Sequence, residues 1–237
     1  MQINKTEFLR FLDLVLLSGD IENKEVILSF GDSIVAKTVS PSNIVAVKGE
    51  LAIKDSDIKG EIGINNIKFF SGLIKNLSGE VIEIIKDNNI LKCSDVDKKI
   101  QIEYILTLPE YITNSISEEK FSLLLKKIKN NKFTVSKDIL KKIIYCVNSL
   151  KSDDLILKGK NKELVIETKN NDNKIIMSFE IKENVEEFTI KLSKILLNIL
   201  NTINDEIIMV VEDKIPILIN YKNSVINISY LLAPMKS

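Results

Sequence analysis

Apolar residues recur at steps of three and four in four stretches of this chain, and in short β-type runs nearly everywhere else. In residues 5–17 Phe8, Phe11, Leu12 and Val15 fall on one helical face, and in 65–77 Ile67, Phe70, Ile74 and Leu77 do the same. In 136–150 the stripe is Ile139, Leu140, Ile143, Ile144 and Val147, and in 191–201 it is Leu192, Ile195, Leu196 and Ile199. Each predicts an amphipathic helix with one buried face. Ser136 stands where an N-cap hydroxyl would serve the third of them.

Runs rich in Ile and Val lie between the helices, at 25–30, 34–39, 43–53, 81–85, 90–93 and 100–106. A second series follows at 155–157, 164–168, 175–181, 207–211, 215–221 and 225–232. Short polar turns join many of them: Gly31-Asp32, Asp87-Asn88-Asn89, Asn170-Asn171-Asp172-Asn173 and Asn223-Ser224. Such turns connect antiparallel neighbours, because parallel strands need long crossovers. The fold class is therefore α+β with antiparallel sheets. Gly60-Glu61-Ile62-Gly63 reads as a turn between strands and lacks the Lys-Ser/Thr that a phosphate loop requires.

The two halves match: each runs helix, strands, helix, strands. Gly79-Glu80-Val81-Ile82 corresponds to Asp205-Glu206-Ile207-Ile208, and Ile3-Asn4-Lys5 opens the first helix as Val135-Ser136-Lys137 opens the third. The expected organisation is one domain at 1–106, a linker at 107–131 and a second copy of the domain at 132–237. Within the linker, Ser115-Ile116-Ser117-Glu118 fits a capping box, and Phe121, Leu124, Leu125 and Ile128 form one stripe, predicting a short helix.

Composition removes most chemistry. There is no histidine among the 237 residues, so imidazole bases, imidazole-dependent triads and the commonest zinc ligand are out. Cys93 and Cys146 form no metal or redox motif, and such sparse cysteine points to an intracellular, reducing setting. The acid pairs Glu118-Glu119 and Glu186-Glu187 sit at expected element ends. The reading is no enzyme, no catalytic residue, no metal and no cofactor. No apolar run approaches the roughly 18 residues of a membrane span.

The 33 basic and 33 acidic side chains cancel, but not evenly. The four predicted helices carry Lys5, Arg10, Lys68, Lys75, Lys137, Lys141, Lys142, Lys191 and Lys194 against Glu7, Asp13 and Asp138, a net +6. On the last helix Lys191, Lys194, Asn198 and Asn201 recur opposite the apolar stripe. A face of lysine and asparagine without acids suits phosphates.

Two repeated α+β domains with a long linker and two helices each resemble DNA sliding clamps of the proliferating cell nuclear antigen and tailed-phage types. The C-terminal stretches Lys214-Ile215-Pro216-Ile217-Leu218-Ile219-Asn220-Tyr221 and Tyr230-Leu231-Leu232-Ala233-Pro234 are similar to the last two strands and Leu-Ala-Pro ending of those clamps. Val39-Ser40-Pro41-Ser42-Asn43-Ile44-Val45-Ala46-Val47 and Phe133-Thr134-Val135-Ser136-Lys137-Asp138-Ile139-Leu140 are two further matches. The resemblance implies a DNA polymerase processivity factor, a homotrimeric ring that encircles duplex DNA without reading its sequence. The nine basic residues named above would line its hole, and a polymerase and a clamp loader would be its partners. The edge strands between Ile100 and Leu106 and between Ile175 and Ile181 would pair from chain to chain. Partner peptides would plug a pocket of Val39, Ile44, Ala46, Pro216, Leu231, Leu232, Ala233 and Pro234. The alternative is a monomeric α+β interaction module that never encircles DNA.

Overall fold

The structure, a computed structural model, describes residues 1–17, 19–54, 56–97, 99–128, 130–150, 154–193, 195–212 and 215–233. The chain divides into two compact units. The first comprises residues 1–17, 22–117 and 222–228, and the second 18–21, 118–221 and 229–237.

The first unit opens with β1 (Gln2–Asn4) and α1 (Lys5–Leu16), where the Asn4 side chain caps the helix by accepting from the Glu7 amide. Strands β2 (Val26–Phe30), β3 (Ser33–Val39), β4 (Val45–Ala52) and β5 (Gly60–Ile64) follow, and then α2 (Ile67–Lys75), capped by Asn66 accepting from the Phe69 amide. Strands β6 (Val81–Asp87), β7 (Ile90–Asp95) and β8 (Gln101–Ile105) complete it. Two antiparallel sheets result, ordered β5-β2-β3-β4 and β1-β6-β7-β8. Both helices press their predicted stripes inward. Phe8 and Phe70 meet edge to face at 6.2 Å, Tyr104 packs on Phe70 at 4.9 Å, and Phe8, Phe11, Leu12 and Phe70 are wholly buried.

The second unit opens with α3 (Glu118–Lys127), which has no counterpart among the described residues of the first, and then follows a similar order: β9 (Lys132–Val135), α4 (Lys137–Leu150), β10 (Asp154–Lys169), β11 (Lys174–Ser193), α5 (Ile195–Ile203), β12 (Ile207–Val210) and β13 (Ile217–Lys222), of which Lys222 falls in the first unit. Strand β14 (Ile226–Leu232) follows, and its residues from Ser229 onward belong here. Ser136 caps α4, its hydroxyl accepting from the Ile139 amide at 3.4 Å. β10 and β11 are long, and their pairing register shifts between Gly159 and Asn161 and again between Asn161 and Glu163. Residues 154–159 pair with 188–193, and residues 163–169 pair with 174–180. The first unit nests its strands in the same way, β2 with β5 outside β3 with β4. Likewise β9 pairs with β12 as β1 pairs with β6.

Three expectations are corrected. Gly60-Glu61-Ile62-Gly63 is not a turn but the body of β5, alternating Ile62 and Ile64 into the core and exchanging backbone hydrogen bonds with Thr107. The last helix begins at Ile195 rather than Lys191, because Lys191 pairs with Ile156 in the β10–β11 ladder. The linker helix exists, but its first residue is Glu118, so Ser115 lies too far upstream to be the N-cap residue of a box with Glu118. The predicted residues Lys194, Lys214 and Pro234 lie outside the described residues.

Candidate nucleic-acid interface

The displaced start of α5 changes the charge picture. Helices α1, α2, α4 and α5 carry seven basic residues (Lys5, Arg10, Lys68, Lys75, Lys137, Lys141 and Lys142) and three acids, a net +4 rather than +6. α5 has no ionisable residue at all, and Lys191 stands exposed on β11. The surplus therefore sits on α2 and α4.

In the first unit the helix cations are partly engaged. The Lys5 ammonium donates to the Leu77 carbonyl at 2.7 Å, tying the start of α1 to the segment after α2. Lys68 reaches Glu22 at 3.4 Å, and Lys75 lies 3.9 Å from Asp13 of α1. Exposed pairs of this kind are worth about 0–1 kcal/mol. An incoming phosphate can replace either carboxylate at little cost. In the second unit Lys137, Lys141 and Lys142 project from one helix, and Lys142 lies 6.0 Å above the Phe179 ring of β11.

Two sheet edges bear on assembly. Among the described residues β8 has β7 on one side and no strand on the other, and its last residue, Ile105, is 72% exposed. Residues 174–180 of β11 likewise pair only with β10 among the described residues, and Ile176 is 58% exposed. Bare edges with exposed Ile side chains can accept another strand.

The residues expected to dock partners are spread over the two units. Val39 and Ile44 are half-buried and Ala46 is buried in the first; Pro216 and Ala233 are half-buried and Leu231 and Leu232 buried in the second. Ser40 builds the turn beside Ile44: its hydroxyl accepts from the Ile44 and Val45 amides at 3.2 and 3.0 Å. The cysteines are free, and burial pushes the Cys93 thiol up to about 12. Among the described residues no cluster of acids and cysteines is placed to hold a metal, and no helix is long and apolar enough to cross a membrane.

Sequence reasoning passed over Tyr145, Asn148 and Asn204. These surround Lys141 and Asn201 in a groove between α4 and α5. The one available signal was Tyr145 itself, a large ring outside the apolar stripe and one turn after Lys141.

No protein-family model and no curated protein sequence matches the chain. Solved structures match it from end to end. A proliferating cell nuclear antigen (PCNA) from A. fulgidus, solved with the C-terminal region of FEN-1 bound, gives a TM-score of 0.80 at 17% identity, over 100% of this chain and 98% of that one. The PCNA of Entamoeba histolytica gives 0.78 at 15%, over 99% and 98%. That of Thermococcus kodakaraensis gives 0.75 at 17%, over 98% of both. The chain thus has the fold of the PCNA sliding clamps along its whole length.

Proposed function

We propose that this chain is a DNA sliding clamp, a polymerase processivity factor that acts as a homotrimeric ring around duplex DNA and performs no chemistry of its own. The observation that carries this reading is the two-way coverage: the match spans 98–100% of this chain and 98% of each PCNA. The bare edges of β8 and of residues 174–180 favour closure, since head-to-tail contacts that close into a ring leave no edge open. The lysines of α2 and α4 are the proposed phosphate contacts. Lysine suits a sliding contact because its compact ammonium meets phosphates without reading bases.

Partner docking is assigned to Val39, Ile44, Ala46, Pro216, Leu231, Leu232, Ala233 and Pro234. The A. fulgidus protein holds the C-terminal region of FEN-1, so that peptide is a suitable probe. Leu232 is buried, and a charge there would enter the core unpaired. Half-buried Ile44 is the better test. Ile44→Glu is expected to weaken the peptide about tenfold with the circular dichroism spectrum unchanged.

The deciding experiment for the whole reading is mass in solution. A ring gives about 80 kDa by light scattering on a sizing column, three times the 26.8 kDa chain. A stable 26.8 kDa species at high micromolar concentration would favour the monomeric interaction module.

A further inference from the structure

α4 and α5 lie side by side in the second unit, and an open groove of about 550 Å³ runs between them. Lys141, Tyr145 and Asn148 line it from α4, and Asn201 and Asn204 from α5 and its C-terminal cap. Tyr145 is 73% exposed, the most exposed large apolar side chain among the described residues. Its carbonyl accepts from the Ser149 hydroxyl at 2.8 Å one turn on. Asn204 has φ +48 and returns its amide to the Leu200 carbonyl at 2.9 Å, which turns the chain at the foot of the groove.

The lining offers one ammonium, one exposed tyrosine ring, three carboxamides, the apolar Ile144 and a Ser149 hydroxyl that already donates to the Tyr145 carbonyl, and no carboxylate. An apolar protein surface laid here would strip water from the ammonium and the three carboxamides without replacing their hydrogen bonds. A nucleotide satisfies all of them. Its phosphate meets Lys141, its base lies on the Tyr145 ring, and the amides, which both donate and accept, meet any base edge. The base must be unpaired, because in a duplex both its faces are already stacked.

Resting on the DNA-binding reading above, we propose that the α4–α5 groove binds an unpaired nucleotide of single-stranded DNA, with Tyr145 as the stacking platform and Lys141 as the phosphate contact. Such a site would give the protein a preference for junctions between duplex and single strand over uninterrupted duplex.

The test uses the full chain with a labelled oligothymidine and a blunt duplex of equal length, followed by fluorescence anisotropy. Tyr145→Ala is expected to weaken oligothymidine about tenfold and to leave the duplex unaffected. Tyr145→Phe keeps the ring and the affinity. Lys141→Ala weakens both ligands. The chain has no tryptophan and five tyrosines, so tyrosine emission is readable directly. It should fall when oligothymidine binds, and fall less in Tyr145→Phe. Unchanged oligothymidine affinity in Tyr145→Ala overturns the proposal, as does equal loss of both ligands. A change in oligomeric mass also overturns it, by making Tyr145 an assembly residue. If the wild-type chain binds the duplex but not oligothymidine, the groove alone is wrong; if it binds neither, the DNA reading fails with it.

Discussion

Gly63 and Thr107 exchange two backbone hydrogen bonds, 3.1 and 3.0 Å long, and a Cβ on Gly63 would collide with the Thr107 carbonyl. The contact joins β5 to the segment that leaves β8. Gly63→Ala is expected to cost about 1–3 kcal/mol, because backbone rather than a flexible side chain must give way. Urea unfolding should show the lower midpoint. Gly31→Ala, where an added Cβ meets nothing within 4 Å, is the control and should leave the midpoint nearly unchanged.

The proposed closure through sheet edges predicts that Ile105 and Ile176 are sensitive positions, since each is largely exposed on an edge left open among the described residues. Replacing Ile105 or Ile176 by Lys should lower the mass in solution toward one chain, because an edge lysine opposes strand addition. The thermal unfolding of the separated chain should stay close to that of the parent chain at low concentration. An unchanged mass in both variants would place the assembly surface elsewhere.

The lysines of α2 and α4 should dominate duplex binding. Lys68→Glu, Lys141→Glu and Lys142→Glu together should weaken duplex binding severely and flatten its dependence on salt, because fewer counterions are released. The strand lysines Lys37, Lys48 and Lys222 provide the comparison. If their reversal to Glu proved equally damaging, the helices would not be the DNA surface.

Glu167 on β10 accepts from Lys174 of the paired strand β11 at 2.7 Å and from Lys158 of its own strand at 3.0 Å. The hydrogen bond from Lys174, then that from Lys158, holds its carboxyl below the ordinary value of 4.5. A carboxyl depressed on folding contributes stability that is fully present above 4.5 and is lost as pH falls through its folded value. The gap in melting temperature between the parent chain and Glu167→Gln should therefore be open at neutral pH and close on acidification below 4.5. A gap that persisted unchanged to pH 3 would show that the ion pairs do not carry it.

How far the sequence alone reaches is clearest in the helices. The stripes of α1, α2 and α4 are long and bounded by residues with a stated local job, such as the capping side chains of Asn4, Asn66 and Ser136. The polar turns were equally legible, because Asn88, with φ +53, and Asn170, whose side chain accepts from the Asp172 and Asn173 amides, act within a few residues. Such interactions depend on near neighbours and can be read in order along the chain.

Tertiary structure alone decided the rest. The run from Phe188 to Leu196 satisfies both periods: Phe188, Ile190 and Leu192 alternate as a strand would, while Leu192, Ile195 and Leu196 step as a helix would. Pairing of Leu155 with Leu192 and of Ile156 with Lys191 settles it for the strand, and removes Lys191 from the helix. β5 needed Thr107, more than forty residues away, to show that Gly63 is a place of close backbone approach rather than a turn. The α4–α5 groove existed in the sequence only as scattered residues, Lys141 and Tyr145 on one helix and Asn201 on another. Packing brings two helix surfaces together across some sixty residues, and no local spacing encodes which surfaces will meet.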